Sequence, residues 1–174
     1  MDVLIRAARP DDAEGVVTIL NEIIAAGRYT AFDTPFTAEA ERRYMAELPT
    51  RGVFHVAQED RNHRMVGFQT LAPFATYTHA FDHVGVIATY VDLNCRRCGV
   101  GTQLWEATCA AARQKGYEKI FTYVRADNPA ALAAYGQWGF HVVGTAQRHA
   151  KIQGRYVDEV IIERQIPDVA GARG

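Results

Sequence analysis

A short segment rich in arginine and glycine carries the clearest chemical signal in this sequence. Residues 91–104 read VDLNCRRCGVGTQL, in which Arg96 and Arg97 precede Gly99 and Gly101. Glycine lets the backbone approach a ligand closely, and the first amides of a helix lie unpaired at the positive end of its dipole. Such a turn binds anions, so the segment predicts a phosphate or pyrophosphate site. The structural alternative is an ordinary strand–turn–helix connection with solvated arginines.

A second group of polar residues begins a later helix. Asn128 and Pro129 have the residue types of an N-cap and a first helical position. Tyr135 follows Asn128 by seven residues, close to two turns at ~3.6 residues per turn, so both side chains face one side. The pattern places an amide and a phenol together. Its structural alternative is a helix cap with a core tyrosine.

The periodicity of apolar residues predicts the elements that position these groups. Asp11 with Glu14 has the spacing of a capping box, followed by an apolar stripe of Ala13, Val16, Val17, Leu20, Ile23 and Ile24. We expect three strands in a row before the anion-binding turn, which excludes a fully alternating doubly wound sheet and predicts a mixed α/β sheet. The predicted strands are 3–7, 53–58, 65–73, 84–91, 119–124, 140–145 and 156–164, and the predicted helices are 11–26, 37–48, 101–115 and 129–139.

The composition limits the classes of protein that fit. The 174 residues, 48% hydrophobic and 22% charged, predict one ordinary globular domain. A net charge of −1 argues against nucleic-acid and membrane partners. No apolar run approaches ~18 residues, the start lacks a secretory pattern, and three cysteines favour a reducing compartment. We therefore expect a cytoplasmic protein.

Taken together, these motifs resemble the GCN5-related N-acetyltransferase (GNAT) superfamily over residues 5–166. The matching residues are RxxGxG at 96–101, NPAA at 128–131, Tyr135, and Gly139-Phe140 leading to Gly144. Asn21, TAFD at 30–33 and GRYxD at 154–158 are similar to the phosphinothricin acetyltransferase branch. The resemblance implies one domain, residues 1–166, and the end of the sequence, PDVAGARG at 167–174, reads as a loose tail. It also implies a mixed, mostly antiparallel sheet of about seven strands, splayed in the middle and flanked by about four helices.

The resemblance further implies an enzyme that transfers an acetyl group from acetyl-CoA to the primary amine of a small molecule. The implied acceptor is an amino acid or an analogue of the phosphinothricin or methionine sulfoximine type, attacking directly in a ternary complex without a metal. Tyr135 would protonate the leaving thiolate, and a homodimer is expected. The implied acetyl-CoA-binding residues are Thr89, Tyr90, Val91, Arg96, Arg97, Cys98, Gly99, Val100, Gly101, Thr102 and Asn128.

The general base is the point at which the sequence departs from this branch. A glutamate is frequent five residues before the position of Val91, and this chain has Val86 there. His83, with an ordinary imidazole pKa of about 6.5, is the candidate base beside a water chain to solvent. Phe32, Tyr77 and Tyr90 are candidates for the acceptor pocket.

Other interpretations remain open at this stage. Arg125, Arg148 or Arg155 could meet an acceptor carboxylate, while residues 73–83 hold none of the arginines usual in the branch that acts on phosphinothricin. Cys95 and Cys98 have the spacing of a redox or zinc half-site without a second pair. The alternative functions are a non-catalytic acyl-CoA-binding module and an acetyltransferase of protein or peptide amino termini.

Overall fold

The computed structural model describes residues 2–166, and the predicted tail at 167–174 lies outside the described residues. The strands and helices follow the predicted order, with the bounds β1 Val3–Ala7, α1 Ala13–Ala25, α2 Ala38–Ala46, β2 Val53–Glu59, β3 Met65–Pro73, β4 Val84–Val91, α3 Val100–Gln114, β5 Lys119–Arg125, α4 Pro129–Gln137, β6 His141–Ile152 and β7 Arg155–Gln165. β4, which the sequence predicts to be the buried central strand, has the predicted bounds.

The strands form one mixed sheet in the order β1-β2-β3-β4-β5-β7-β6. The β4–β5 pair is parallel and the other pairs are antiparallel. This arrangement confirms the predicted α/β fold of seven strands and four helices. Across residues 2–166, no helix combines the length and the apolar character that crossing a membrane requires.

The sheet opens in its middle. The ladder between β4 and β5 joins only Val84–Val86 to Lys119–Phe121, whereas β3 pairs with β4 as far as Val91. From Ile87 onward, β4 therefore diverges from β5 and leaves a gap that opens toward the start of α3. This gap is the predicted splay of the sheet.

Helices cover both faces of the sheet. Val16 and Ile23 of α1 pack with Phe54 and Phe68 on one face, where α2 also lies. On the other face, α3 and α4 contribute a cluster of aromatic residues that packs on the central strands, namely Trp105, Tyr135 and Trp138. The gap between β4 and β5 is thus flanked by α1 and α2 on one side and by α3 and α4 on the other.

The start of α1 differs from the expected capping box. The Asp12 carboxylate accepts two hydrogen bonds from the Arg6 guanidinium, at 2.7 and 2.8 Å, and a third from the Arg9 backbone N–H at 2.7 Å. Asp12 therefore fastens β1 to the start of the helix, and no Asp11–Glu14 box is needed. Within the predicted stripe Val17 is only half-buried, and Ile19 is buried instead.

The last hairpin is longer than its sequence pattern predicted. β6 continues to Ile152, past the predicted end at residue 145. Its turn consists of Gln153 and Gly154, both with positive φ (48° and 80°), which matches a two-residue turn of type I′. Much of β6 is exposed at the edge of the sheet, so it lacks the apolar alternation that would have revealed its length.

Candidate active site

A buried chain of three polar side chains crosses from β3 through β4 to α4. Gln69 Nε2 donates to Thr89 Oγ1 at 2.7 Å, and Thr89 Oγ1 lies 2.9 Å from the Tyr135 hydroxyl oxygen. Because Thr89 already accepts from Gln69, its own hydrogen can point to the Tyr135 oxygen. That orientation leaves the phenolic hydrogen of Tyr135 free for another acceptor.

The environment of Tyr135 keeps its phenol protonated. Its residue is 6% exposed, and the rings of Trp138 and Phe140 lie edge-on with centroids 5.0 Å away. Burial raises the pKa of Tyr135 far above its ordinary value, and the hydrogen bond with Thr89 offsets only part of this effect. A phenol of this kind is a proton donor at neutral pH rather than a base.

Gln69 is a residue of this site that sequence reasoning missed. It is fully buried, and its Oε1 is the buried side-chain atom without a hydrogen-bond partner among residues 2–166. A glutamine in the interior of an otherwise apolar strand, β3, is the signal that could have identified it.

The backbone of β4 presents hydrogen-bond donors to the gap. The Asp92 N–H donates to the Val66 carbonyl of β3 at 2.9 Å. The backbone N–H groups of Asp92 and of every second residue before it therefore point toward β3. The alternate residues, Thr89 and Val91, direct their N–H groups to the side of β5. Since the β4–β5 ladder ends at Val86, these two amides face the gap.

The predicted anion-binding turn has the backbone of an anion site. Gly99, with φ 81°, is the N-cap of α3, and Arg97 also has a positive φ of 60°. The Gln103 N–H donates to the Gly99 carbonyl at 3.1 Å, so the three preceding helical amides, 100–102, have no intrahelical partner. Their N–H groups supply the partial positive charge that a diphosphate needs.

The side chains of this turn take different positions. The Arg96 guanidinium stacks on the Tyr29 ring at 3.7 Å from its centroid, while Arg97 is exposed. Cys98 is half-buried, with its sulfur 3.5 Å from the Arg96 carbonyl oxygen. Arg97 is therefore solvated, whereas the Arg96 guanidinium is engaged with the Tyr29 ring.

The beginning of α3 also contacts α4. The Trp138 Nε1 donates to Thr102 Oγ1 at 3.2 Å. A Cβ atom on Gly101 would lie 3.1 Å from the Trp138 ring. Val100 is buried on the other side of the turn, against Ala57 and Val66. The Val100 side chain thus serves packing, whereas Thr102 is exposed, and its hydroxyl can donate to a ligand while it accepts from Trp138.

Asn128 caps α4 as its residue type predicted. Its Oδ1 accepts from the Ala131 N–H at 3.2 Å, and its Nδ2 donates to the Tyr29 carbonyl at 3.4 Å. A contact of Asn128 with a ligand would therefore replace its hydrogen bond to Tyr29, while the cap could remain.

Arg125 fastens the connection between α1 and α2. Its guanidinium pairs with the Asp127 carboxylate at 2.7 Å and donates to the carbonyl oxygens of Gly27 and Thr30, both at 3.1 Å. These bonds occupy the guanidinium that we considered for an acceptor carboxylate. Further along the same connection, both backbone groups of Phe36 hydrogen-bond the side chain of Asn21 on α1 at 2.9 Å.

His83 is not brought to the buried polar chain. It is exposed and directly precedes β4, whereas Thr89 is six residues further along. At ~3.3 Å per residue the two lie roughly 20 Å apart along the strand. His83 thus lies too far from the Thr89–Tyr135 pair to exchange a proton with a group bound there, and its position gives the predicted base no support.

The candidate acceptor residues are distributed over separate surfaces. Tyr90 stacks on Phe68 with ring centroids 4.9 Å apart, and burial raises its pKa to about 12, an effect that the Thr30 side chain partly offsets. Phe32 is 44% exposed in the α1–α2 connection. Tyr77 is 80% exposed in the β3–β4 connection, so its ring is not part of a formed pocket.

The two cysteines that precede α3 have protein partners. Cys95 is buried, and its sulfur accepts from the Arg64 guanidinium at 3.1 Å, while Arg64 also pairs with Asp92 at 2.6 Å. Within the part of the chain that the structure describes, no three His, Cys, Asp or Glu side chains are grouped to hold a metal ion.

Comparison with known proteins gives this arrangement a family. The family model described as "Acetyltransferase (GNAT) family" matches residues 17–140. The chain is 26% identical over 162 residues to a Bacillus subtilis protein named "Putative phosphinothricin acetyltransferase YwnH", covering 93% of this chain and 98% of that protein. It is 23% identical over 177 residues to the L-methionine sulfoximine/L-methionine sulfone acetyltransferase of Pseudomonas aeruginosa, covering 99% of both chains.

A solved structure repeats the fold. The Sinorhizobium meliloti phosphinothricin acetyltransferase of the GNAT superfamily, solved in complex with acetyl-CoA, superimposes with a TM-score of 0.88 at 19% identity. The match covers 98% of this chain and 92% of that chain. The resemblance read from the sequence motifs is confirmed: this chain belongs to the acetyltransferase (GNAT) family.

Proposed function

We propose that this acetyltransferase transfers the acetyl group of acetyl-CoA to the primary amine of an amino acid or amino-acid analogue. The observation that carries the proposal is the gap between β4 and β5. It combines inward-facing amides of β4, an anion-binding helix start at its mouth, and the buried phenol of Tyr135 on its α4 side. The names of the relatives support an acceptor of the phosphinothricin or methionine sulfoximine type.

In this proposal the donor is held mainly by backbone groups. The amides of Val100, Gly101 and Thr102, with the turn formed by Arg96, Arg97, Cys98 and Gly99, bind the diphosphate. Thr89, Tyr90 and Val91 contact the pantetheine arm, and Asn128 bonds it after releasing Tyr29. The amides of Thr89 and Val91 are the donors available to a thioester oxygen, on which negative charge develops during attack.

The reaction requires one proton at sulfur and the removal of protons from nitrogen. The amine nitrogen forms a bond to the thioester carbon, the carbon–sulfur bond breaks, and Tyr135 gives its proton to the sulfur. Thr89 holds the Tyr135 oxygen during this step, and Gln69 holds Thr89. Direct attack needs no protein nucleophile, so positioning by the gap supplies most of the advantage.

An acceptor screen tests the proposal. The protein is mixed with acetyl-CoA, a thiol-reactive dye and single amines: L-methionine sulfoximine, L-methionine sulfone, L-phosphinothricin, the common amino acids and a short peptide. We expect amine-dependent release of CoA with at least one free amino acid or analogue. Binding of acetyl-CoA without release for any amine would indicate the non-catalytic module, and release with the peptide alone would indicate action on amino termini.

Three expectations from the sequence accompany the proposal. They are a homodimer, a cytoplasmic location, and a single domain of residues 1–166 followed by a loose tail. Sedimentation of the purified full chain measures the first of these directly.

A further inference from the structure

Four aromatic rings form a continuous surface beside the gap, called the aromatic patch below: Phe74, Phe81, Phe121 and Tyr123. The Phe74 ring lies edge-on to Phe81 and Phe121, with centroids 5.2 and 5.1 Å away, and Phe121 lies 5.7 Å from Tyr123. Phe121 is half-buried, while the other three residues are 37–43% exposed. Adjacent apolar rings that stay exposed to water mark a surface that can bind a ligand.

The alternation of β5 places the aromatic patch on the face of the sheet that also carries α1 and α2. Ile120 and Val124 of β5 pack into the cluster that contains Trp105 on the opposite face. Because successive side chains of a strand point to opposite faces, Phe121 and Tyr123 point away from that cluster. The apolar cluster under α1 is built on β2 and β3, which leaves the rings on β5 accessible.

The aromatic patch is continuous with the gap between β4 and β5. Phe121 pairs with Val86 in the last rung of the β4–β5 ladder, and the gap begins directly after this rung. Val86 and Ala88 lie on the same face as Phe121, and both are half-buried. Thr89, whose amide faces the gap, follows Val86 by three residues, which is roughly 10 Å along the strand. The side chain of an amino acid that attacks a thioester at this amide therefore reaches the patch.

Backbone hydrogen bonds hold the two outer rings of the aromatic patch. The Phe74 N–H donates to the Val84 carbonyl at 3.0 Å, which extends the β3–β4 pairing to Phe74. Phe81 lies in the short turn before β4, where the Thr78 hydroxyl accepts from the Ala80 N–H at 3.3 Å. The rings are thus held in place before a ligand arrives, which lowers the entropic cost of binding.

The charges of β5 favour an apolar ligand on this face. Lys119 and Arg125 are the cationic residues of β5, and both lie on the same face as Phe121. Lys119 pairs with Glu163 at 2.5 Å, and Arg125 pairs with Asp127 at 2.7 Å. An anionic side chain on the patch would lose water without gaining a counter-charge from β5, whereas an apolar side chain carries no such cost.

We propose that the aromatic patch binds the side chain of the acceptor and selects primary amines that carry an aromatic or other large apolar group. This inference rests on the proposed function, whose substrate class it narrows. Burying the exposed parts of these rings against an apolar side chain is favourable, and an aromatic side chain adds a further edge-on contact. The relatives described above are named for phosphinothricin and methionine sulfoximine, whose side chains are polar, so we expect this chain to prefer a different acceptor.

The acceptor preference of the wild type is the first test. kcat/KM is measured with L-phenylalanine, L-tryptophan, L-methionine sulfoximine, L-phosphinothricin and L-alanine. We expect the two aromatic amino acids to exceed the two polar analogues by about 10-fold or more, which is the scale on which apolar pockets discriminate. L-Alanine should also be slower than the aromatic amino acids, because its methyl group is too short to reach the patch.

Substitutions in the aromatic patch are the second test. Phe74→Ala should lower kcat/KM for L-phenylalanine about 10-fold, and it should leave kcat/KM for L-alanine and the affinity for CoA unchanged. Phe81→Ala removes the ring at the end of the patch and should show the same selective loss to a smaller degree, even where Phe74→Ala fails to fold. The matched control is Tyr156→Ala, which removes a 51% exposed ring beside the β6–β7 turn and should match the wild type with every amine.

The two proposals fail in different ways. A wild type that prefers L-phosphinothricin or L-methionine sulfoximine contradicts the role of the patch and leaves acetyl transfer intact. So does an equal loss with all amines in Phe74→Ala and Phe81→Ala, and a changed sedimentation of these variants would then assign the patch to contact with a second copy. No release of CoA by the wild type with any amine contradicts the proposed function itself.

Discussion

The Tyr135 hydroxyl lies 2.9 Å from Thr89 Oγ1, although 46 residues separate them in the chain. This contact joins α4 to the strand that presents free amides to the gap. When Thr89 donates to the Tyr135 oxygen, the phenolic hydrogen remains available to a group bound in the gap. The role of the Tyr135 phenol can therefore be tested separately from the binding of acetyl-CoA.

Replacing Tyr135 with Phe removes the proton donor and leaves the ring packed against Trp138 and Phe140. We expect turnover to fall about 100-fold, because general acid catalysis contributes ~10²–10⁴-fold. Because burial raises the pKa of Tyr135 above the ordinary tyrosine range, the wild-type rate should show no alkaline loss from this phenol up to about pH 9. Steady-state assays measure both, and calorimetry with CoA should show unchanged affinity. Wild-type turnover in this variant would exclude the acid role.

The Gln69–Thr89 hydrogen bond predicts that substitutions at these two residues have non-additive effects on the free energy of unfolding. Thr89→Val leaves the Gln69 amide buried without a partner, which should destabilise the fold by ~1–3 kcal/mol. Gln69→Leu also removes the orphaned Oε1, so it should be nearly neutral. We expect the double variant to be more stable than Thr89→Val alone in urea unfolding. Strictly additive effects would show that the two side chains do not interact.

A side chain at Gly101 should disturb the packing between α3 and the Trp138 ring. In Gly101→Ala the new Cβ meets the Trp138 ring, which Thr102 and the stacked Trp105 hold in place. We expect a loss of ~1–3 kcal/mol in unfolding free energy. Gly136→Ala is the control, because nothing lies within 4 Å of its Cβ position in α4, and alanine there should stabilise the helix by ~0.5–1 kcal/mol.

The Arg6–Asp12 ion pair is expected to make a pH-dependent contribution to the free energy of unfolding. The hydrogen bonds from Arg6 lower the pKa of Asp12, so its stabilisation is present above the ordinary carboxyl range and is lost as pH falls through the lowered value. At pH 7 we expect Asp12→Asn to cost ~1–2 kcal/mol. Urea titrations should show this difference shrinking below about pH 4. A difference that stays constant down to pH 2 would contradict the assignment.

Local sequence patterns were sufficient for the elements that bear the donor site. The apolar run of β4 and the glycine turn before α3 are contiguous signals, so their bounds and backbone conformation follow from neighbouring residues. The cap at Asn128 was likewise predictable, because asparagine is a common N-cap residue and a proline follows it.

Contacts between distant parts of the chain were not predictable in the same way. Glu41 lies in a helix whose sequence, AEAERRYMA, reads as largely solvated, yet this residue is buried in the fold. Gln69 reaches Thr89 because the β3–β4 register aligns them, which no short pattern specifies. His83 was placed near the chemistry by its residue type, whereas the length of β4 separates it from Tyr135.

Arg96 belongs to the donor turn but is stacked on Tyr29, a residue of the α1–α2 connection that also carries Thr30. An Arg96 side chain that turns toward a diphosphate gives up a cation–π contact worth ~0.5–2 kcal/mol and releases one tie on that connection. In the proposed function, a diphosphate that draws Arg96 away from Tyr29 would loosen this connection, and the coupling would act equally in both directions. Such a coupling would favour binding of acetyl-CoA before the amine.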